Sequence, residues 1–306
     1  MATQRYDTTF LAIVACLLWS SAFVGIKIGL QYTTPLQFAG IRFFISGLLV
    51  LPVAIRNNAR FLQIVRQNLR TILIVGFFQT FVQYALFYTG IAKVPGAIGA
   101  IIIGSSPLFI ALIADRFMPD DRMNARKMFS IVFGILGVAL VSIGRDRLGV
   151  AGDVALVGIL ILTGNNILSG FTNVYIARVK GQIPPFVLSS MSMILGGLAL
   201  FLLSIPVEGW QWSAKPLAYY FSLSWLSLLS AVAISIWTML LMRPGIKVST
   251  LNFWKFLIPV AGAILSWLIL PGESPGVISV SGMIIISLSL IILNMNNRWI
   301  ILKKKT

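Results

Sequence analysis

STLNFWKFLIPVAGAILSWLIL, residues 249–270, carries a single ionisable side chain, Lys255, in 22 positions. At about 1.5 Å of rise per residue, such a run wound into a helix reaches across the roughly 30 Å hydrocarbon layer of a bilayer. Lys255 and Pro259 mark it as more than an anchor. A cation held in hydrocarbon is costly and ordinarily faces a cavity, and a proline inside a helix frees a backbone carbonyl one turn earlier.

The same kind of run recurs along the chain. Apolar stretches near 8–30, 36–55, 71–91, 97–117, 128–143, 154–177, 186–205, 217–241, 249–270 and 277–293 predict ten membrane spans. Composition agrees: 58% of residues are hydrophobic and 10% charged, against about 25% charged in soluble domains, and the mean hydropathy is +0.93. The fold class expected is an all-α integral membrane protein. The first run is too long and too rich in Trp and Phe for a cleaved signal peptide. The longest connection, 56–70, reads as an amphipathic helix lying on the membrane, with Phe61, Leu62, Val65 and Leu69 opposite Arg60, Arg66 and Gln67.

The net charge of +16 needs no nucleic acid. With the N-terminus in the cytoplasm, seventeen Lys and Arg fall on the cytoplasmic side and four, Lys93, Arg145, Arg147 and Lys215, on the other, as the positive-inside bias requires. Both termini are therefore expected in the cytoplasm. Trp210, Trp212, Tyr219 and Tyr220 would lie at the outer interface and Trp299 at the inner one. The lone Cys16 supports neither a disulfide nor a thiolate metal site, and no cofactor is implied.

The two halves echo each other at an offset of about 150 residues. Gly47 is matched by Gly197, Pro107 by Pro259 and Gly134 by Gly282. A unit of five spans, repeated in tandem, inserts the second time upside down, which is the inverted-repeat plan of secondary transporters with a binding site near the midplane. The expected division is 1–147 and 148–306, one transporter unit of ten transmembrane helices arranged as two inverted five-helix repeats.

WSSAFVGIK (19–27), PLQFAGIRFFISGLL (35–49), SSPLFIALIAD (105–115), PVAGAILSWLILPGE (259–273) and GVISVSGMIIISLSLIIL (276–293) together resemble the drug/metabolite transporter superfamily in its EamA-type ten-helix branch. The resemblance covers essentially the whole chain through order, spacing and length. It is nearest the YddG-like exporters of aromatic and other amino acids. Glu273 fits the acidic residue that such proteins carry after the ninth helix, whereas the first half offers Asp120 and Asp121. The resemblance implies a central cavity between the halves.

Three cations, Lys27, Arg42 and Lys255, fall inside spans. Snorkelling to the interface accounts best for Arg42 and competes evenly with cavity lining for Lys27, while Lys255 is deepest. The chain has no His and no carboxylate at mid-span, so the ordinary proton-relay groups are missing and a facilitator or exchanger is expected. Polar and aromatic side chains inside the runs are the other candidate liners: Trp19 and Phe23 on the first span, Gln79, Gln83 and Tyr84 on the third, Ser105 on the fourth. Asn165 and Asn166 on the sixth, Trp237 on the eighth and Asn252 on the ninth complete the set, with Asn173 also considered. Helix-to-helix hydrogen bonding is the alternative for each. Pro107 and Pro259 are expected helix breaks that expose carbonyls at the same depth.

The function expected is an exporter or facilitator of amino acids and related small metabolites in a bacterial cytoplasmic (inner) membrane. The partners are then the solute and the bilayer, with the protein a monomer or weak homodimer. Exchange of phosphate esters or nucleotide sugars and multidrug efflux are the alternatives. No nucleophile-and-base set or metal cluster points to an enzyme, and no ring of charges points to a channel.

Overall fold

The computed structural model describes residues 2–91, 93–94, 99, 102–145, 153–209, 213–269 and 276–294. Every regular element among them is helical, as a chain in lipid requires when all backbone polar groups must be satisfied internally. In order these are α1 (Ala2–Gly29), α2 (Pro35–Arg56), the short α3 (Phe61–Gln67), α4 (Leu69–Ile91), α5 (Ser106–Phe117) and α6 (Ala125–Arg145). The second half supplies α7 (Asp153–Arg178), α8 (Pro185–Glu208), α9 (Leu217–Leu241), α10 (Val248–Asn252), α11 (Leu257–Ile269) and α12 (Val277–Asn294). A 3-10 turn, Phe253–Phe256, joins α10 to α11. With α10 and α11 forming one span and α3 set aside, ten helical segments match the ten apolar runs.

Five of these helices are individually long and apolar enough to cross a membrane among the described residues: 35–56, 69–91, 156–178, 185–208 and 217–241. The fourth and ninth spans are interrupted, at Ser105 and at the 3-10 turn. The amphipathic prediction for 56–70 holds for α3, but Phe61, Ile64 and Val65 pack against the bundle core while Leu62 stays exposed.

Helix pairing repeats when the first five spans are exchanged with the last five. α2 packs on α8 and α6 on α12, each pair exchanging into itself. α1 against α9 is matched by α7 against α4, α1 against α11 by α7 against α5, and α2 against α9 by α8 against α4. The expected junction at 147 and 148 lies outside the described residues.

Small residues set the two self-matched crossings. A Cβ on Gly197 would stand 2.4 Å from the Phe44 nitrogen and 3.0 Å from the Gly40 carbonyl, and one on Gly47 would stand 2.7 Å from the Ser190 carbonyl. Only glycine permits backbones that close. Ser190 donates to the Gly47 carbonyl at 2.8 Å. At the other crossing a Cβ on Gly137 would stand 2.7 Å from the Gly282 carbonyl. There Ser130 and Ser289 donate to each other's carbonyls at 3.2 and 2.6 Å.

The ends of the bundle are stitched differently. At one end, rich in Arg and Lys, Arg178 donates to the Phe117 carbonyl, Arg243 donates to Thr8 at 3.0 Å and Asp121 receives Ser249. At the opposite end the Glu208 carboxylate accepts the Leu36 and Gln37 backbone N–H groups at 2.9 and 3.1 Å. Those are donors that the first turn of α2 leaves unpaired.

Candidate functional site

Where α1, α4, α7, α9 and the 3-10 turn converge, they enclose a cavity of about 50 Å³. The turn itself places the key group. Pro259, lacking an N–H, cannot continue the α-helical ladder into the preceding turn, and the backbone tightens to 3-10 geometry over Phe253–Phe256, carrying Lys255 to the cavity wall. Its Nζ lies 5.0 Å from the Trp237 ring centre and 5.8 Å from that of Trp19, and the two rings are themselves 5.0 Å apart. Two indole faces are the best aromatic partners for an ammonium. Among the described residues no carboxylate pairs with Lys255, so its charge rests on rings and on the cavity.

Opposite this cluster, α4 widens into a π-helix over Gly76–Val82, a distortion often found at functional sites. Gln79, Thr80, Gln83 and Tyr84 line the cavity from there. Gly76 and Gly196 allow the distorted helix to approach α8: a Cβ on Gly196 would stand 2.5 Å from the Gly76 carbonyl. The Gln83 Oε1 is buried without a hydrogen-bond donor among the described residues. From α7 come Ser169 and Asn173. The Asn173 Oδ1 receives both the Trp237 Nε1–H and the Asn252 amide at 3.2 Å, which ties α7, α9 and α10 together beside Lys255.

Six of the predicted liners, Lys255, Trp19, Gln79, Gln83, Tyr84 and Trp237, thus meet at one cavity, and Asn252 stands behind Asn173. Three do not reach it. Ser105 donates to the Ile102 carbonyl at 2.7 Å, and Asn166 donates to the same carbonyl from α7, so both brace the interruption in the fourth span. Asn165 is buried, and its Oδ1 has no partner among the described residues. The side chains of Phe23 and Lys27 lie outside the described residues. Pro107 sits in the first turn of α5, where a missing N–H costs nothing, so the break falls just before it.

Arg42 departs from expectation. It does not snorkel: it is 3% exposed, its Nε donates to Ser230 at 2.9 Å, and its guanidinium stands 5.0 Å over the Phe43 ring. The Phe43 ring meets Tyr84 at 4.0 Å, placing Arg42 one ring behind the cavity wall. Ser169 and Thr80 were missed. A polar row at 165, 169 and 173, spaced i, i+4, would have pointed to Ser169.

A second hollow of about 520 Å³, lined by Gly25, Ile28, Phe221 and Trp225 among others, opens between α1, α9 and α11. It is larger but nearly all apolar, and its position between helix flanks suits lipid rather than a polar solute.

Residues 8–143 match the model of the EamA-like transporter family. The uncharacterized transporter YdfC of Bacillus subtilis (strain 168) is 26% identical over 265 residues, covering 87% of this chain and 83% of YdfC. YvbV of the same organism, also an uncharacterized transporter, is 21% identical over 302 residues, 95% and 92% of the two chains. The uncharacterized inner membrane transporter YedA of Escherichia coli (strain K12) is 25% identical over 219 residues, 71% of this chain and 68% of YedA. A crystal structure at 17% identity superposes with a TM-score of 0.80 over 95% of this chain and 97% of that one, a likeness of fold.

Proposed function

We propose, from the match of residues 8–143 to the EamA-like transporter family, that the chain exports amino acids and related small carboxylated metabolites across a bacterial cytoplasmic membrane. The two five-span halves, 1–147 and 148–306, rock around the cavity, and both termini face the cytoplasm. Lys255 receives the solute carboxylate through a charge-assisted hydrogen bond, and Gln79, Gln83, Tyr84 and Asn173 receive its other polar groups.

One observation carries this reading: a deeply placed ammonium, held over two indole rings, faces a polar cavity with no carboxylate of its own among the described residues. An anionic group is the partner such a site lacks. The volume supports movement. Small-molecule sites run from about 300 Å³ upward, so a cavity of about 50 Å³ admits a metabolite only after the surrounding helices part. Without mid-span carboxylates or His, the solute's own gradient drives transport.

The test is efflux or uptake of labelled amino acids by proteoliposomes with no ion gradient imposed. Saturable movement that carboxylated analogues compete for, and amines lacking the carboxylate do not, supports the proposal. Equal competition by decarboxylated amines refutes Lys255 as the anion receiver.

A further inference from the structure

Among the described residues, one buried carboxylate, that of Asp121, lies outside the cavity. Asp121, 2% exposed, ends the short 3-10 helix Pro119–Asp121 between α5 and α6. Its Oδ2 accepts the Ser249 backbone N–H at 2.8 Å, its Oδ1 accepts the Ser249 hydroxyl, and the Lys127 ammonium lies 2.5 Å from the same Oδ1. Lys127 also donates to the Arg122 carbonyl at 2.9 Å. Both carboxylate oxygens are engaged and the charge is matched, as a carboxylate withdrawn from water requires.

The position of this cluster gives it a mechanical meaning. Asp121 belongs to the connection after the fourth span, and Ser249 to the first turn of α10, the start of the ninth. Six residues beyond Ser249 lies Lys255, itself within the 3-10 turn that follows α10, and a 3-10 stretch inside a helix is a common hinge. α5 and α10 pack together at this same Arg- and Lys-rich end. The buried contact therefore fastens the first half of the chain to the segment of the second half that carries the cavity's cation.

We propose that the Asp121–Ser249 contact is the gate at this end of the carrier, and that its release lets α10 swing on the 3-10 turn and opens the Lys255 cavity to that side. The proposal rests on the carrier reading above but not on the identity of the solute. Two further links at this end join different pairs: Arg178 ties α7 to α5, and Arg243 ties α9 to α1. Neither touches the element bearing Lys255.

Cys16, the one cysteine of the chain, is fully buried on α1 about one turn before the cavity liner Trp19, so its labelling reports whether reagent reaches that depth. Its modification by a small membrane-impermeant methanethiosulfonate is timed in vesicles that present the Arg- and Lys-rich end to the reagent. Peptide mass spectrometry reads the extent, and size-exclusion chromatography checks each variant's fold. Ser249→Ala and Asp121→Asn are expected to label Cys16 about five-fold faster than wild type or more. An oxidised Asp121→Cys/Ser249→Cys cross-link is expected to label it more slowly than wild type. Wild-type rates in the mild Ser249→Ala variant, or in the cross-linked protein, overturn the gate. Labelling requires no solute, so a failure here leaves the amino-acid proposal standing, and a protein that moves no amino acid still reveals whether the gate exists.

Discussion

Replacing Lys255 by Met removes the cavity's ammonium while keeping an unbranched side chain of comparable reach. The consequence for the fold is small. Cation–π contacts to Trp237 at 5.0 Å and Trp19 at 5.8 Å, worth about 0.5–2 kcal/mol, are lost, but so is the cost of keeping a charge away from water, and the two effects oppose each other. The consequence for the solute is larger. A hydrogen bond to a charged group contributes about 1.5–3 kcal/mol, and each 1.4 kcal/mol is tenfold in affinity. Half-saturation for a carboxylated solute should therefore rise by roughly 10- to 100-fold, with the melting temperature in detergent shifted by only a few degrees. Initial rates of labelled amino-acid uptake into proteoliposomes across a concentration series measure it. A Lys255→Met protein that keeps the wild-type half-saturation refutes the assignment of Lys255 as the carboxylate receiver.

Three further outcomes follow from the packing. Gly197→Val, whose first added carbon would stand 2.4 Å from the Phe44 nitrogen, should destabilise the α2–α8 crossing by about 1–3 kcal/mol, seen as earlier thermal aggregation; an unchanged profile contradicts the crossing. Glu208→Gln leaves a single acceptor oxygen for the Leu36 and Gln37 N–H groups, which the carboxylate receives on separate oxygens, and drops the negative charge at the α2 N-terminus. It should lose about 0.3–1 kcal/mol in thermal stability with half-saturation unaltered. Gln83→Leu deletes a buried acceptor on α4 that has no donor among the described residues and should weaken uptake of amino acids with a free ammonium about fivefold while leaving their N-acetyl derivatives unaffected. Equal losses for both would show that Gln83 does not meet the ammonium.

Much of the architecture is legible from hydropathy because lipid imposes it: the run 217–241 coincides with α9, and the other boundaries move by a few residues where a helix end extends into polar sequence, as in α8 to Glu208. Lys255 is legible for the same reason, since a cation seven residues into an apolar run has few places to go. The π-helix at Gly76–Val82 is not, because no hydropathy pattern marks it and its close approach to Gly196 on α8 exists only in the folded chain. Arg42 shows the limit of depth alone. Distance from the interface favours snorkelling, but the face of α2 that meets Ser230 on α9 decides the outcome. Asp121 reads as a loop residue because its partner Ser249 lies 128 residues away, and only the folded pairing of the fourth and ninth spans buries it.

The central claim is that one cavity, shared by the two halves, opens to each side of the membrane in turn and holds the solute beside Lys255. A cysteine placed at Gln83 in a Cys16→Ser background, exposed to an impermeant maleimide from one face or the other, tests it directly. Modification from both faces, slowed several-fold by saturating amino acid, is the predicted result. Modification from neither face, or labelling indifferent to every carboxylated solute, would contradict it.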